Sequence, residues 1–215
     1  MKKIIFVGIF LIRLLAPQII QAQGTGYLSN LGQSSIGSYP IGSDSWLATQ
    51  FFTGTNAGGY TLNSIQIQVT NALGNPNGFT ALLYASNPLA AIPGDSLGAL
   101  SGSLNPATDG IYTFTPASNL TLSKTTYYYI VLTSETLVIN GAYEWSYATA
   151  NSYGPSGGWN SAGGNLIISN NGSTWSGFAS DHIQYAINAT AVPEPGILSL
   201  FGLGGFGFLW QRRKC

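Results

Sequence analysis

Tyr60 to Thr70 reads YTLNSIQIQVT, with Ile65, Ile67 and Val69 apolar and Gln66 and Gln68 set between them. An extended chain sends successive side chains to opposite faces, so a period of two marks a strand with one covered face and one polar face. Working outward, the same kind of signal recurs on both sides. Ser45 to Phe52 (SWLATQFF) precedes a turn-rich Gly54-Thr-Asn-Ala-Gly-Gly59. Phe79 to Tyr84 follows an Asn-Pro-Asn-Gly turn, and Ile111 to Thr115 follows Asp109-Gly110. Thr126 to Thr133 (TYYYIVLT) is nearly continuous in apolar and aromatic residues, as a central strand covered on both faces would be. Ala142 to Ala148 alternates Tyr143, Trp145 and Tyr147; Leu166 to Ser169 is short; His182 to Thr190 alternates Ile183, Tyr185, Ile187 and Ala189. About eight strands with short loops and no intervening helix favour an antiparallel β-sandwich, jelly-roll-like, with a closed barrel as the structural alternative.

Composition narrows the function. Only 7% of the 215 residues are charged, while 45% are hydrophobic and 28 are glycine. That excludes a disordered charged tail, a coiled coil, and a nucleic-acid binder, which needs clustered Lys and Arg against phosphate. The net charge of zero hides an asymmetry. From Gln23 to Val192 the one base is Lys124, against Asp44, Asp95, Asp109, Glu135, Glu144 and Asp181. The other bases stand at the two ends, so the ends obey different rules from the middle.

At the N-terminus, Lys2 and Lys3 precede an apolar run from Ile4 to Ala16, then Gln21-Ala22-Gln23. A positive start, an apolar core and a small residue at a cleavage point describe a signal peptide over residues 1–22. Arg13 interrupts the run. At the C-terminus, Pro193-Glu194-Pro195 precedes an apolar stretch, residues 196–210, and a basic tail, residues 211–215, carrying Arg212, Arg213 and Lys214. As a helix the stretch would be roughly 22 Å long, short against a hydrocarbon core of about 30 Å. Trp210 suits the interface, and the basic cluster would set topology by staying cytoplasmic. The single transmembrane helix expected over 196–210 would anchor the chain. The lone Cys215 leaves the middle segment, residues 23–191, without a disulfide, so its stability must come from a core.

This tail, an acidic Pro-Glu-Pro followed by a short apolar segment and a basic end, resembles the PEP-CTERM sorting domain of Gram-negative bacteria. The resemblance covers Val192 to Cys215. It implies recognition of Pro193, Glu194 and Pro195 by a membrane-embedded exosortase, cleavage near the motif, transient residence in the inner membrane, and an association with exopolysaccharide and biofilm. A second resemblance spans roughly Leu28 to Thr190. It rests on Ser38-Tyr-Pro-Ile-Gly-Ser-Asp-Ser-Trp-Leu-Ala-Thr-Gln-Phe51, Thr53 to Leu62, Asn105-Pro-Ala-Thr108, Thr126 to Leu132, Tyr143-Glu-Trp-Ser-Tyr147 and Gly158-Trp159. These are similar to pieces of the choice-of-anchor R domain, which implies an extracellular location and no particular reaction.

Little in the middle segment carries chemistry. His182 is the single histidine, and its neighbour Asp181 would point to the opposite face of a strand, so no Ser/His/Asp site is expected. One His and one terminal Cys cannot ligate zinc. No metal site, catalytic residue or cofactor is expected; a calcium ion held by distant loops stays open. Glu144, between Tyr143 and Trp145, is expected to face solvent. Trp159 and Trp175, each in a Gly/Ser/Asn-rich loop, are the candidate residues for stacking on sugar rings, whereas Trp46 and Trp145 read as core. The expectation is an exported, non-enzymatic protein of the cell surface or exopolysaccharide matrix. The alternative is a carbohydrate-binding module acting on extracellular polysaccharide and, behind it, a glycoside hydrolase.

Overall fold

The computed structural model describes residues 24–149 and 152–194. Their strands are β1 (Thr25–Ser29), β2 (Ser35–Ile41), β3 (Trp46–Phe52), β4 (Tyr60–Gly74), β5 (Thr80–Ser86), β6 (Pro93–Ser101) and β7 (Gly110–Pro116). There follow β8 (Thr121–Leu122), β9 (Tyr127–Thr133), β10 (Gly141–Ala148), β11 (Leu166–Ser169), β12 (Trp175–Ala179), β13 (His182–Ile183) and β14 (Tyr185–Ala191). Helix among the described residues is confined to two short 3-10 turns, Val138–Asn140 and Ala162–Gly164.

All pairings are antiparallel. One sheet is built on β4, the stretch whose alternation is clearest. β14 lies along its first half, with β1 outside β14; β10 lies along its second half, with β2 outside β10. The other flank of β4 takes β8 and β7. The second sheet runs β6-β5-β9-β3-β11-β12. The sheets join along one side, where Leu100 pairs with Pro116 and Ser101 with Thr115. This is an all-β, sandwich-like architecture.

The inner faces meet in one core. Ile65, Ile67 and Val69 from β4, Trp145 from β10 and Ile187 from β14 pack with Phe51, Ile130, Leu132 and Leu166 of the second sheet. The glutamines between the β4 aliphatics lie outward: Gln66 donates to the Thr113 hydroxyl and Gln68 to the Asp109 carboxylate. β9 is covered on both faces, as its continuous apolar sequence requires. Tyr128, Ile130 and Leu132 face the core, while Tyr129 and Val131 are buried beneath a separate outer layer of Trp46, Leu82, Tyr84 and Trp175.

The structure corrects the reading of Glu144, which is buried at 6% exposure rather than facing solvent. Alternation places it opposite Tyr143 and Trp145 correctly, but β10 is covered on both faces. On the Glu144 face, Ser146 bonds Gln184 Oε1 at 2.5 Å and Ser35 Oγ at 2.7 Å. The amide of Gln184 in turn donates to the carbonyls of Gln33 and Asn30. The Asn30–Gln33 segment therefore folds over a face that alternation alone leaves open. Burial raises the Glu144 carboxyl above its ordinary range, and the Ser38 hydroxyl offsets this in part.

Candidate functional site: the end of the sandwich that holds the tail

β14 runs antiparallel to β1, with Ala189 opposite Thr25, so the first and last strands meet at one end of the sandwich. The Asn56–Gly59 turn and the β8 pairing to Tyr60 and Thr61 sit at the same end. The turn closes through Gly59 N–H to the Asn56 carbonyl at 2.9 Å. It then receives the chain leaving β14. Val192 N–H donates to the Gly59 carbonyl at 3.0 Å. Asn56 Nδ2 donates to the Gly59 carbonyl at 2.6 Å and to the Val192 carbonyl at 2.9 Å. Ala57 N–H donates to Glu194 Oε1 at 3.2 Å.

The glycine pair is shaped for this contact. A Cβ on Gly58 would meet the Val192 carbonyl oxygen at 2.6 Å, and Gly59 holds φ at +73°, where L side chains are strained. Val192 is half-buried, whereas Pro193 and Glu194 are exposed. Lys124, the one base of the folded segment, is exposed on the loop that follows β8. Of the residues picked out in the sequence, Pro193 and Glu194 are thus placed on the folded domain itself. Pro195, the apolar segment 196–210, Arg212, Arg213, Lys214 and Cys215 lie outside the described residues, as does the signal peptide expected over 1–22. Among the described residues no helix is long and apolar enough to cross a membrane.

The two loop tryptophans part company. Trp159 is buried at 2% exposure. Its indole stacks on Tyr27 (4.8 Å, 14°) and on Phe51 (6.0 Å, 6°) and meets Tyr60 edge-on at 4.9 Å. Neither face is left for a sugar ring, so Trp159 is withdrawn as a glycan-stacking residue. Trp175 is half-exposed on the outer face of the second sheet, in the layer with Tyr84 and Trp46. Trp46, expected in the core, belongs to this outer layer instead. Its indole N–H is fixed to the Ser43 carbonyl at 3.1 Å and the Gly172 turn packs against its ring. Phe52 and Tyr127, with ring centroids 4.6 Å apart, extend the aromatic row. Gln50 donates to the Tyr129 hydroxyl at 2.7 Å beneath it, and burial pushes that phenol up to about 12. The sequence reading missed this row because its members come from four strands distant in the chain.

Several further polar groups are structurally engaged. Tyr39 donates to the Asp181 carboxylate, a bond that, with burial, raises the phenol to about 12. His182 Nδ1 lies 3.2 Å from the Gly163 carbonyl. Asp109 is tied to β4: Gln68 Nε2 donates to its carboxylate, and its own N–H donates to Asn71 Oδ1. Among the described residues no three His, Cys, Asp or Glu side chains gather as metal ligands. The outer face of the first sheet carries a groove of about 960 Å³ whose lining includes Asn63, Gln66, Thr113, Asn119 and Asn188. Its donors and acceptors are neutral amides and hydroxyls.

The PEP-CTERM protein-sorting motif matches the chain over residues 191–214, beginning at the last residue of β14. No curated protein matches the chain. The motif marks an exported protein, sorted to the cell envelope and processed by an exosortase.

Proposed function

We propose that the chain is a non-enzymatic surface or matrix protein whose tail is a temporary address. The signal peptide over 1–22 directs export. The segment 196–210, with Arg212, Arg213 and Lys214 on the cytoplasmic side, holds the protein in the inner membrane of a Gram-negative cell. An exosortase recognises Pro193, Glu194 and Pro195, removes the tail, and the sandwich passes to the cell surface or the exopolysaccharide matrix. The similarity to choice-of-anchor R domains supports an extracellular role for residues 23–191. The observation that carries the reading is the sorting motif joined directly to β14. Intact-mass measurement of the protein from its native host tests it. The expected species lacks both ends; a chain retaining residues 196–215 at the cell surface overturns the reading.

A second reading, carbohydrate binding, is favoured by the outer aromatic row. Trp46, Tyr84, Tyr127 and Trp175 stand half-exposed or exposed on the outer side of β3, β5, β9 and β12, strands without a charged side chain. Such a surface suits the C–H faces of uncharged sugar rings. Retention of the processed protein on uncharged polysaccharide, weakened by Trp46→Ala, supports this reading; flat signals across a glycan array remove it.

A further inference from the structure

The sorting motif does not hang from a linker. Val192 is fixed by two hydrogen bonds, and a glycine clears space for its carbonyl. From there to Pro195 the chain advances three residues, which span at most about 10 Å. Any enzyme that grips Pro193 and Glu194 therefore comes within about that distance of the Asn56–Gly59 turn. The motif residues themselves remain open: both are exposed, and Glu194 is held through Oε1, which accepts from Ala57 N–H. The turn thus holds the motif in place and does not hide it. A segment held in one conformation loses less freedom on being bound than a floppy one.

We propose that the Asn56–Gly59 turn is a seat that presents the sorting motif, and that this end of the sandwich forms part of the surface met by the membrane-embedded processing enzyme. The substrate is then the folded domain together with its tail, not the tail alone. The inference rests on the reading that an exosortase processes this tail.

The test uses the full-length chain in a host that carries the processing enzyme, with tail removal followed by pulse-chase and immunoblotting. A ten-residue Gly/Ser insertion between Val192 and Pro193 frees the motif from the seat and leaves its sequence intact. Gly58→Ala unseats Val192 without lengthening the chain. Both are expected to slow tail removal at least threefold, while Glu194→Gln reports whether the motif itself is read. Hydrogen exchange on the insertion variant checks that the core strands keep their protection. If the insertion leaves the rate unchanged or raises it while Glu194→Gln slows removal, the seat is overturned and the processing reading stands. If the wild-type tail is never removed, both fall.

Discussion

The indole of Trp159 lies face to face with the ring of Tyr27, 4.8 Å apart and 14° from parallel. A tryptophan from a glycine-rich loop thus plugs the core beside the first strand. The loop is tied there by Ser156 N–H to the Tyr27 carbonyl at 3.1 Å and by the paired bonds of Phe52 with Asn160. Truncating so large a buried ring leaves a cavity, and Trp159→Ala should cost about 3–5 kcal/mol. Trp159→Phe should cost less, because it also removes a buried indole N–H that has no partner. Chemical denaturation of the three proteins gives the ranking; equal loss for both variants would show that stacking is not what holds the loop.

Asn30 is the polar counterpart of that plug. It is buried, donates to the Ile183 carbonyl at 3.0 Å and accepts the Tyr185 N–H at 2.9 Å, spanning the point where the chain passes from β13 to β14. Asn30→Ala orphans the buried Tyr185 N–H, worth about 1–3 kcal/mol, while the Ile183 carbonyl keeps the Tyr153 hydroxyl at 2.8 Å. The expected drop in Tm is about 3–12 °C for a domain of this size. A drop under 2 °C would mean that water or a shifted loop replaces both bonds.

The aromatic row makes a sharper claim about Trp46 and Trp175. Both are half-exposed and lie above an already buried layer, so their loss should weaken any glycan contact more than it weakens the fold. On the carbohydrate reading, Trp46→Ala should lower retention on uncharged polysaccharide roughly three- to tenfold, in line with the stacking energy of one ring. Trp159 variants of intact fold should leave it unchanged. Affinity electrophoresis separates these outcomes.

Legibility in the sequence followed burial. β4 and β9 announce themselves because one alternates and the other is apolar throughout, and each sits centrally in its sheet. β2, β6 and β12 do not. β2 (SIGSYPI) carries Gly37 and Pro40 and pairs along its length only with β10; β6 (PGDSLGALS) begins on Pro93 and meets β5 with shifts in register. Strands unpaired on one side along most of their length, as β6 is before Leu100, have few buried positions, so their sequences read as loops. Trp159 was misplaced for the opposite reason. Glycines make its segment look like a free loop, but Gly157 and Gly158, both at positive φ, are what allow that loop to fold inward. The motif is legible in sequence from Pro193-Glu194-Pro195, the apolar segment 196–210 and the basic end taken together. The seat was not, because Asn56 and Val192 are 136 residues apart and only the β14 ladder brings them together.

The final prediction concerns Glu144. Its carboxyl is raised by burial, so the folded protein holds a proton there at a pH where the unfolded chain has released it. In that window the folded state binds more protons than the unfolded one, and stability falls as pH rises. The penalty begins near the ordinary carboxylate range, grows as pH climbs through the raised folded value, and then stays constant. Glu144→Gln keeps a hydrogen-bonding group of similar shape and removes the charge. Its Tm should match the wild type at low pH, where the wild-type carboxyl is protonated in both states, and exceed it at neutral pH. Calorimetry of both proteins across this range decides it. A wild type more stable than Glu144→Gln at neutral pH would mean that the carboxylate is ionised in the fold and held by its hydroxyl neighbours, Ser38 first among them.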